Sequence, residues 1–271
     1  MTIAAALADA AGRLAAVSET PRLDAELLMA HALGVGREAL LLGPRHGPAP
    51  DAFAALVERR LRHEPIAYIT GRRAFWTIEL EVTPAVLIPR PDSETLIEAA
   101  IDHFGTRAPA HVLDLGTGSG ALLLAALAHW PDARGLGVDA SAVAVAVARA
   151  NAIRLGMGER AKIARGDWDA ALAGTYDLVL CHPPYIATGE ALLADVVRFE
   201  PAAALFAGSD GLDDYRRIAP LLRLPAGGVA CIEIGATQAE AVSALFAARG
   251  FATSIRKDLA GRDRCLVVTA L

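Results

Sequence analysis

Apolar positions in the first 63 residues recur at helical spacing. Thr20-Pro21 predicts a helix start, and Leu23, Leu27, Leu28 and Leu33 form an apolar stripe that stops at Gly34. A second helix is expected from Asp51 as its cap, with Phe53, Leu56, Val57 and Leu61 inward and Glu58 and Arg62 paired four apart on the polar face. From 64 to 90 the pattern changes to Tyr68-Ile69 and then the alternating run Phe75 to Val82, which reads as a hairpin strand in a connector. After Pro91, strand-like runs near 111–115, 135–139, 161–165, 176–181, 228–234, 251–257 and 264–270 alternate with helical patterns at 119–130, 141–155, 211–223 and 237–249. Such alternation predicts an α/β protein with a doubly wound, mainly parallel sheet covered on both faces. The short loop Leu259 to Asp263 permits an antiparallel hairpin at the sheet edge. The expected division is a helical domain at 1–63, a hairpin connector at 64–90 and a sheet domain at 91–271.

Composition adds limits. With 271 residues, 54% of them hydrophobic, there is material for a large core and a smaller second one. A net charge of −5 argues against broad binding to nucleic acid, which needs a dense basic surface. The first 63 residues hold seven arginines and seven acidic residues, so this segment reads as a bundle that recognises protein rather than RNA. Cys181, Cys231 and Cys265 each fall in an apolar strand-like run without zinc-ligand spacing, which implies buried reduced thiols and no metal site. No run approaches the roughly 20 apolar residues of a membrane span. Asp9 and Arg13 interrupt the alanine-rich start, so a cytoplasmic protein without a secretory signal is expected.

The stretch from His111 to Ala121 joins a strand, the glycine turn Gly116-Thr117-Gly118-Ser119-Gly120 and a helix start. Its G-x-G-x-x-A spacing also suits a dinucleotide, whose pyrophosphate would sit on the helix N-terminus. Asp114, two residues before the turn, discriminates. A carboxylate there repels a diphosphate and attracts the ammonium group of S-adenosyl-L-methionine, a cofactor without phosphate. Asp139 closes the next strand where a carboxylate can bind ribose hydroxyls of either cofactor. Asp167-Trp168 follows the third strand; it can hold an adenine's amine and face, or simply cap a helix beside a packed indole.

About 60 residues after the glycine loop, the apolar run from Tyr176 ends in His182-Pro183-Pro184-Tyr185-Ile186. Consecutive prolines fix φ twice and remove two N–H donors, so the carbonyls and the preceding side chain project as rigid acceptors. That chemistry suits methyl transfer to a planar nitrogen. Together with Glu64 to Tyr68, Leu87 to Glu94, Asp210-Gly211-Leu212, Glu233-Ile234-Gly235 and Lys257 to Arg264, these residues make the chain resemble the peptide chain release factor glutamine methyltransferases, the HemK family, over nearly its whole length.

The resemblance implies the class I S-adenosylmethionine-dependent methyltransferase fold with a small N-terminal helical domain for substrate recognition. It also implies transfer of a methyl group to the glutamine side-chain amide in the Gly-Gly-Gln motif of class I peptide chain release factors. No membrane and no direct nucleic-acid binding is expected. Asp114, Gly116, Thr117, Gly118, Gly120, Asp139, Asp167, Trp168 and His182 would bind the cofactor, and His182, Pro183, Pro184 and Tyr185 the target amide, with His182, Pro183 and Tyr185 in the catalytic role. Arg90 and Glu94 belong to the family-specific run, or form a surface pair at a helix start.

In the family the residue before the two prolines is asparagine, whose oxygen and the first proline's carbonyl accept the two amide N–H bonds. Here histidine stands in its place. Neutral imidazole has one acceptor lone pair and protonated imidazole none, so activity should fall as pH drops through the imidazole pKa. Losing a placed acceptor costs about 1 to 3 kcal/mol. An active enzyme that tolerates histidine, an impaired variant and a divergent substrate all remain open. Beyond the family, the motifs leave room for a nucleic-acid amino-methyltransferase, a non-catalytic cofactor binder and a dehydrogenase.

Overall fold

Alternation within each strand sends neighbouring side chains to opposite faces, and both faces here are apolar. In the computed structural model, which describes residues 1–171 and 174–271, this produces a seven-stranded sheet with a core on each side. Val112, Leu178, Leu180, Val229 and Cys231 enter one core. Leu113, Leu115, Val179, Cys181, Ala230 and Ile232 enter the other.

Two compact units form, Met1–Arg72 with Leu192–Phe199, and Arg73–Ala191 with Glu200–Leu271. Residues 64–72 of the expected connector thus fall in the first unit and 73–90 in the second. The first unit contains α1 (Ile3–Leu14), α2 (Pro21–Leu33), α3 (Arg37–Leu42), α4 (Ala52–Leu61) and α5 (Ile66–Thr70). Its core gathers Leu14, Leu28, Met29, Phe53, Val57 and Ile69.

Several local expectations change here. Leu23 is exposed, because α2 turns Ala25, Leu28 and Met29 inward instead. Neither Thr20 nor Asp51 makes a side-chain cap bond; Pro21 alone marks the start of α2. Glu58 pairs with Arg13 of α1 rather than with Arg62. Tyr68-Ile69 lies in helix α5, not in a strand. Asp24 and Arg60 form an ion pair at 2.8 Å in which both residues are buried.

A hairpin of β1 (Arg72–Phe75) and β2 (Ile78–Glu81) follows, of which all but Arg72 belongs to the second unit. The alternating run expected as one strand is broken at Trp76, whose φ of 53° makes the turn. A 3₁₀ turn, Pro91–Ser93, leads into α6 (Glu94–Phe104). Then follow β3 (His111–Leu115), α7 (Ala121–His129), β4 (Arg134–Asp139), α8 (Ala142–Arg154), β5 (Ala161–Arg165), α9 (Trp168–Ala171) and β6 (Leu178–Cys181). After α10 (Ala194–Phe199, in the first unit) come α11 (Asp213–Ile218), β7 (Val229–Glu233), α12 (Ala239–Ala247), β8 (Phe251–Lys257) and β9 (Asp263–Ala270).

The strand order is β5-β4-β3-β6-β7-β9-β8, parallel as far as β7 and antiparallel from β9 onward. The chain therefore winds outward from β3 in one direction and returns through β6 in the other, which opens a crevice beyond the carboxyl ends of β3 and β6. Among the described residues no helix is long and apolar enough to cross a membrane. The three cysteines are free and buried in β6, β7 and β9.

Candidate active site

Parallel strands present their carboxyl ends on one edge, so residues far apart in sequence meet there. Register places Leu115 beside Cys181 and Cys181 beside Ile232. The residues that follow, Gly116, His182 and Glu233, are brought into one neighbourhood. A cavity of about 270 Å³ opens at this edge. Asp114, Gly116, Thr117, Gly118, Asp139, Trp168, His182 and Pro184 all line it, joined by Ser93 and Phe75.

Two carboxylates shape the glycine loop. Asp139 accepts from the Gly118 and Ser141 amides at 2.9 and 2.8 Å. Asp114 Oδ2 accepts from the Thr117 hydroxyl at 2.6 Å and from the Leu123 amide at 3.2 Å. Its other oxygen, Oδ1, is buried without a hydrogen-bond partner. Burial pushes the Asp114 carboxyl up to about 7, against the two bonds it accepts and with a small addition from Asp139. An orphaned buried acceptor of this kind fits a cationic or hydroxylic ligand group and disfavours a phosphate.

Gly116 has φ +70°, and a Cβ there would sit 3.2 Å from the Trp168 ring. The absence of a side chain thus lets the indole close over the loop. The Trp168 Nε1–H donates to Asp214 at 2.9 Å, which fixes the ring plane. Asp167 lies off the cavity lining: it accepts from the Trp168 amide and pairs with Arg217, so it holds the start of α9. Gly120, also off the lining, is the left-handed residue that opens α7.

Beyond β6, the acceptor run is tied down by its backbone. Gln238 donates to the Tyr185 carbonyl at 3.0 Å, and Ile186 exchanges bonds with Leu205 and Ala207. The His182 ring stacks on Tyr185, with centroids 5.7 Å apart and planes at 17°. Burial first, then Arg90 and Arg264, hold the imidazole below its ordinary 6.5, opposed by Glu233 and Glu200. Burial and the nearby Glu233 raise the Tyr185 phenol, which therefore stays protonated. Pro183 and Tyr185 flank the cavity without lining it.

Arg90 and Glu94 do not pair with each other. Arg90 reaches Glu200 at 2.6 Å, and Glu94 accepts from the Trp76 amide at 2.8 Å. Glu200, itself buried, also accepts from the Ile88 amide. Sequence reasoning gave no role to Ser93, Glu200, Glu233 or Arg264. The usable signal was an acidic residue at the carboxyl end of an apolar strand, a trait Glu233 shares with Asp139.

Two family models match the chain: the PrmC N-terminal domain over residues 5–71 and the methyltransferase small domain over residues 93–208. A release factor glutamine methyltransferase of Rhodospirillum rubrum is 45% identical over 92% of this chain and 79% of its own length. The chain belongs to the release factor glutamine methyltransferase family. Another member, from Caulobacter vibrioides, is 42% identical over 92% of the chain and 89% of its own length. Membership makes the chain a methyltransferase. Among solved structures, a methyltransferase from Pyrococcus furiosus superposes with a TM-score of 0.55 at 16% identity, covering 79% of this chain and 98% of that one. This likeness supports the class I methyltransferase fold.

Proposed function

We propose that this enzyme methylates the side-chain amide nitrogen of the glutamine in the Gly-Gly-Gln motif of class I peptide chain release factors, using S-adenosyl-L-methionine in the cytoplasm. The observation that carries the reading is the shared cavity: Asp114, with its orphaned oxygen, and His182 and Pro184 of the acceptor run all line it. The names of the relatives support the substrate.

The residues present fit the cofactor. Asp114 would take its ammonium group, Asp139 its ribose hydroxyls, and Trp168 with Gly116, Thr117 and Gly118 its adenosyl body. When bound, S-adenosyl-L-methionine supplies an electrophilic methyl group on a sulfonium. The chain's own part is to hold the acceptor. His182 and the Pro183 carbonyl would accept the two N–H bonds of the target amide, orienting its lone pair into the cavity. Holding the reacting nitrogen near its partner converts an encounter into an intramolecular step. No strong base is required, because an N-methylated amide cation loses its proton readily to water. The helical unit, with the expected recognition domain at 1–63, would present the release factor.

The test is mass spectrometry of the Gly-Gly-Gln peptide after incubating a release factor with S-adenosyl-L-methionine and either this protein or its His182→Asn variant. A mass gain of one methylene on glutamine with the unsubstituted protein is expected. Gain only with His182→Asn would make the histidine an impairment of the acceptor; no gain with either would remove release factors as substrates.

A further inference from the structure

His182 is where the chain departs from the family's asparagine, and its surroundings give the ring a definite proton arrangement. Glu233 Oε2 lies 3.2 Å from His182 Nδ1. The same oxygen accepts from the Ser93 hydroxyl at 2.5 Å, and Ser93 Oγ is 3.4 Å from Nδ1. The other carboxylate oxygen accepts from the Tyr185 hydroxyl at 3.4 Å and faces Arg264 Nη1 at 3.9 Å. Glu233 and Ser93 are 1% and 3% exposed, so water does not compete for these contacts. Ser93 spends its single proton on the carboxylate, and a carboxylate has none to give. With its proton on the carboxylate, Ser93 Oγ can only accept at Nδ1, as can the nearby Oε2, so the hydrogen at Nδ1 belongs to the ring. In a neutral imidazole a proton on Nδ1 leaves the lone pair on Nε2.

We propose that Glu233, braced by Ser93 and Arg264, is a positioning residue that locks His182 in the Nδ1–H tautomer and so presents Nε2 as an acceptor for one N–H of the target amide. Imidazole then does the work of an asparagine oxygen. The stack against Tyr185 sets the ring plane, and the carboxylate sets which nitrogen faces the substrate. The burial that disfavours imidazolium keeps the ring in the form that has a lone pair to offer. This inference rests on the methyl-transfer reading above.

Long-range proton–nitrogen NMR of protein labelled with ¹⁵N-histidine, near neutral pH, reads the tautomer directly and needs no substrate. A protonated Nδ1 and an unprotonated Nε2 on His182 are expected. A proton on Nε2, or on both nitrogens, would overturn the proposal. Glu233→Gln can offer its amide N–H to Nδ1 and should let the opposite tautomer appear in the spectrum, whereas Ser93→Ala leaves the carboxylate as an acceptor beside Nδ1 and should keep the Nδ1–H form.

In release factor methylation, Glu233→Gln should lower kcat about 5- to 150-fold with a smaller change in KM. Placed on His182→Asn, whose amide oxygen needs no tautomer, the same substitution should cost less than about 3-fold. Equal losses in both backgrounds would reduce Glu233 to a structural residue and end the proposal. Gain with His182→Asn but not with the unsubstituted protein would end this proposal, whereas no methyl gain with either would overturn the methyl-transfer reading, and the NMR result tells the two failures apart.

Discussion

Burial shifts Asp114 up and His182 down, in opposite senses for the same reason, and their pH dependences separate cofactor binding from catalysis. The Asp114 carboxyl, raised by burial from 3.8 to about 7, lowers the stability of the ligand-free protein as pH rises through 7, where it must ionise in a dry site. An ammonium group favours the ionised form. Cofactor affinity, measured by calorimetry, should therefore weaken as pH falls through about 7, and Asp114→Asn should weaken binding and flatten that dependence. An unchanged pH dependence in Asp114→Asn would take the ammonium contact away from this residue. In the proposed role His182 acts while unprotonated, and its pKa is held below 6.5 chiefly by burial. With cofactor saturating, kcat should stay level from alkaline pH down to 6.5 and fall only below it. A decline that begins above 6.5 would mean that the imidazole is more easily protonated than its buried position allows.

Among elements, the hairpin, α8 and the glycine loop are stitched by one side chain. Asn151, fully buried on α8, accepts from the Glu81 amide at 2.8 Å and donates to the carbonyls of Glu81 and Ser119, each at 2.9 Å. Asn151→Ala should cost about 1 to 3 kcal/mol through these unpaired backbone groups, read as a lower denaturation midpoint in urea. A change near zero would show that water replaces all three bonds. The strands of the sheet were legible in the sequence because each is a short apolar run bounded by turns or helices, and the carboxylates Asp114 and Asp139 because they stand at strand ends beside a glycine loop. The hairpin was half legible: alternation marked β2, but nothing local announces that Trp76, a bulky residue, adopts a positive φ. Tyr68-Ile69 looked extended because two apolar neighbours carry no period; the left-handed Gly71 closes a single helical turn there. Glu233 and Glu200 had no assigned role, because their partners lie 51 and 112 residues away and meet them only through strand order and the return of the chain. Asp167 stayed ambiguous in the sequence because an acidic residue after a strand suits a helix start, which it holds here, as well as an adenine.

At the scale of the whole molecule, charge and topology say different things. The net charge of −5 argues against broad nucleic-acid binding. A labelled ribosomal RNA fragment should give no saturable anisotropy change at physiological salt, and binding in the micromolar range would revive a nucleic-acid substrate. The strand order carries a further consequence. β9 sits between β7 and β8, so β8 reaches the sheet only through its hairpin with β9. That hairpin is local, while the β3–β6 pairing spans more than 60 residues of chain and must wait for a large loop to close. The order of assembly follows: β8 and β9 zip early and dock on β7 as a preformed pair, and the edge on which Glu233 ends is completed when they arrive. Refolding monitored at β9 amides should thus show protection acquired in two stages, first against β8 and later against β7, with competence to bind cofactor appearing no earlier than the second.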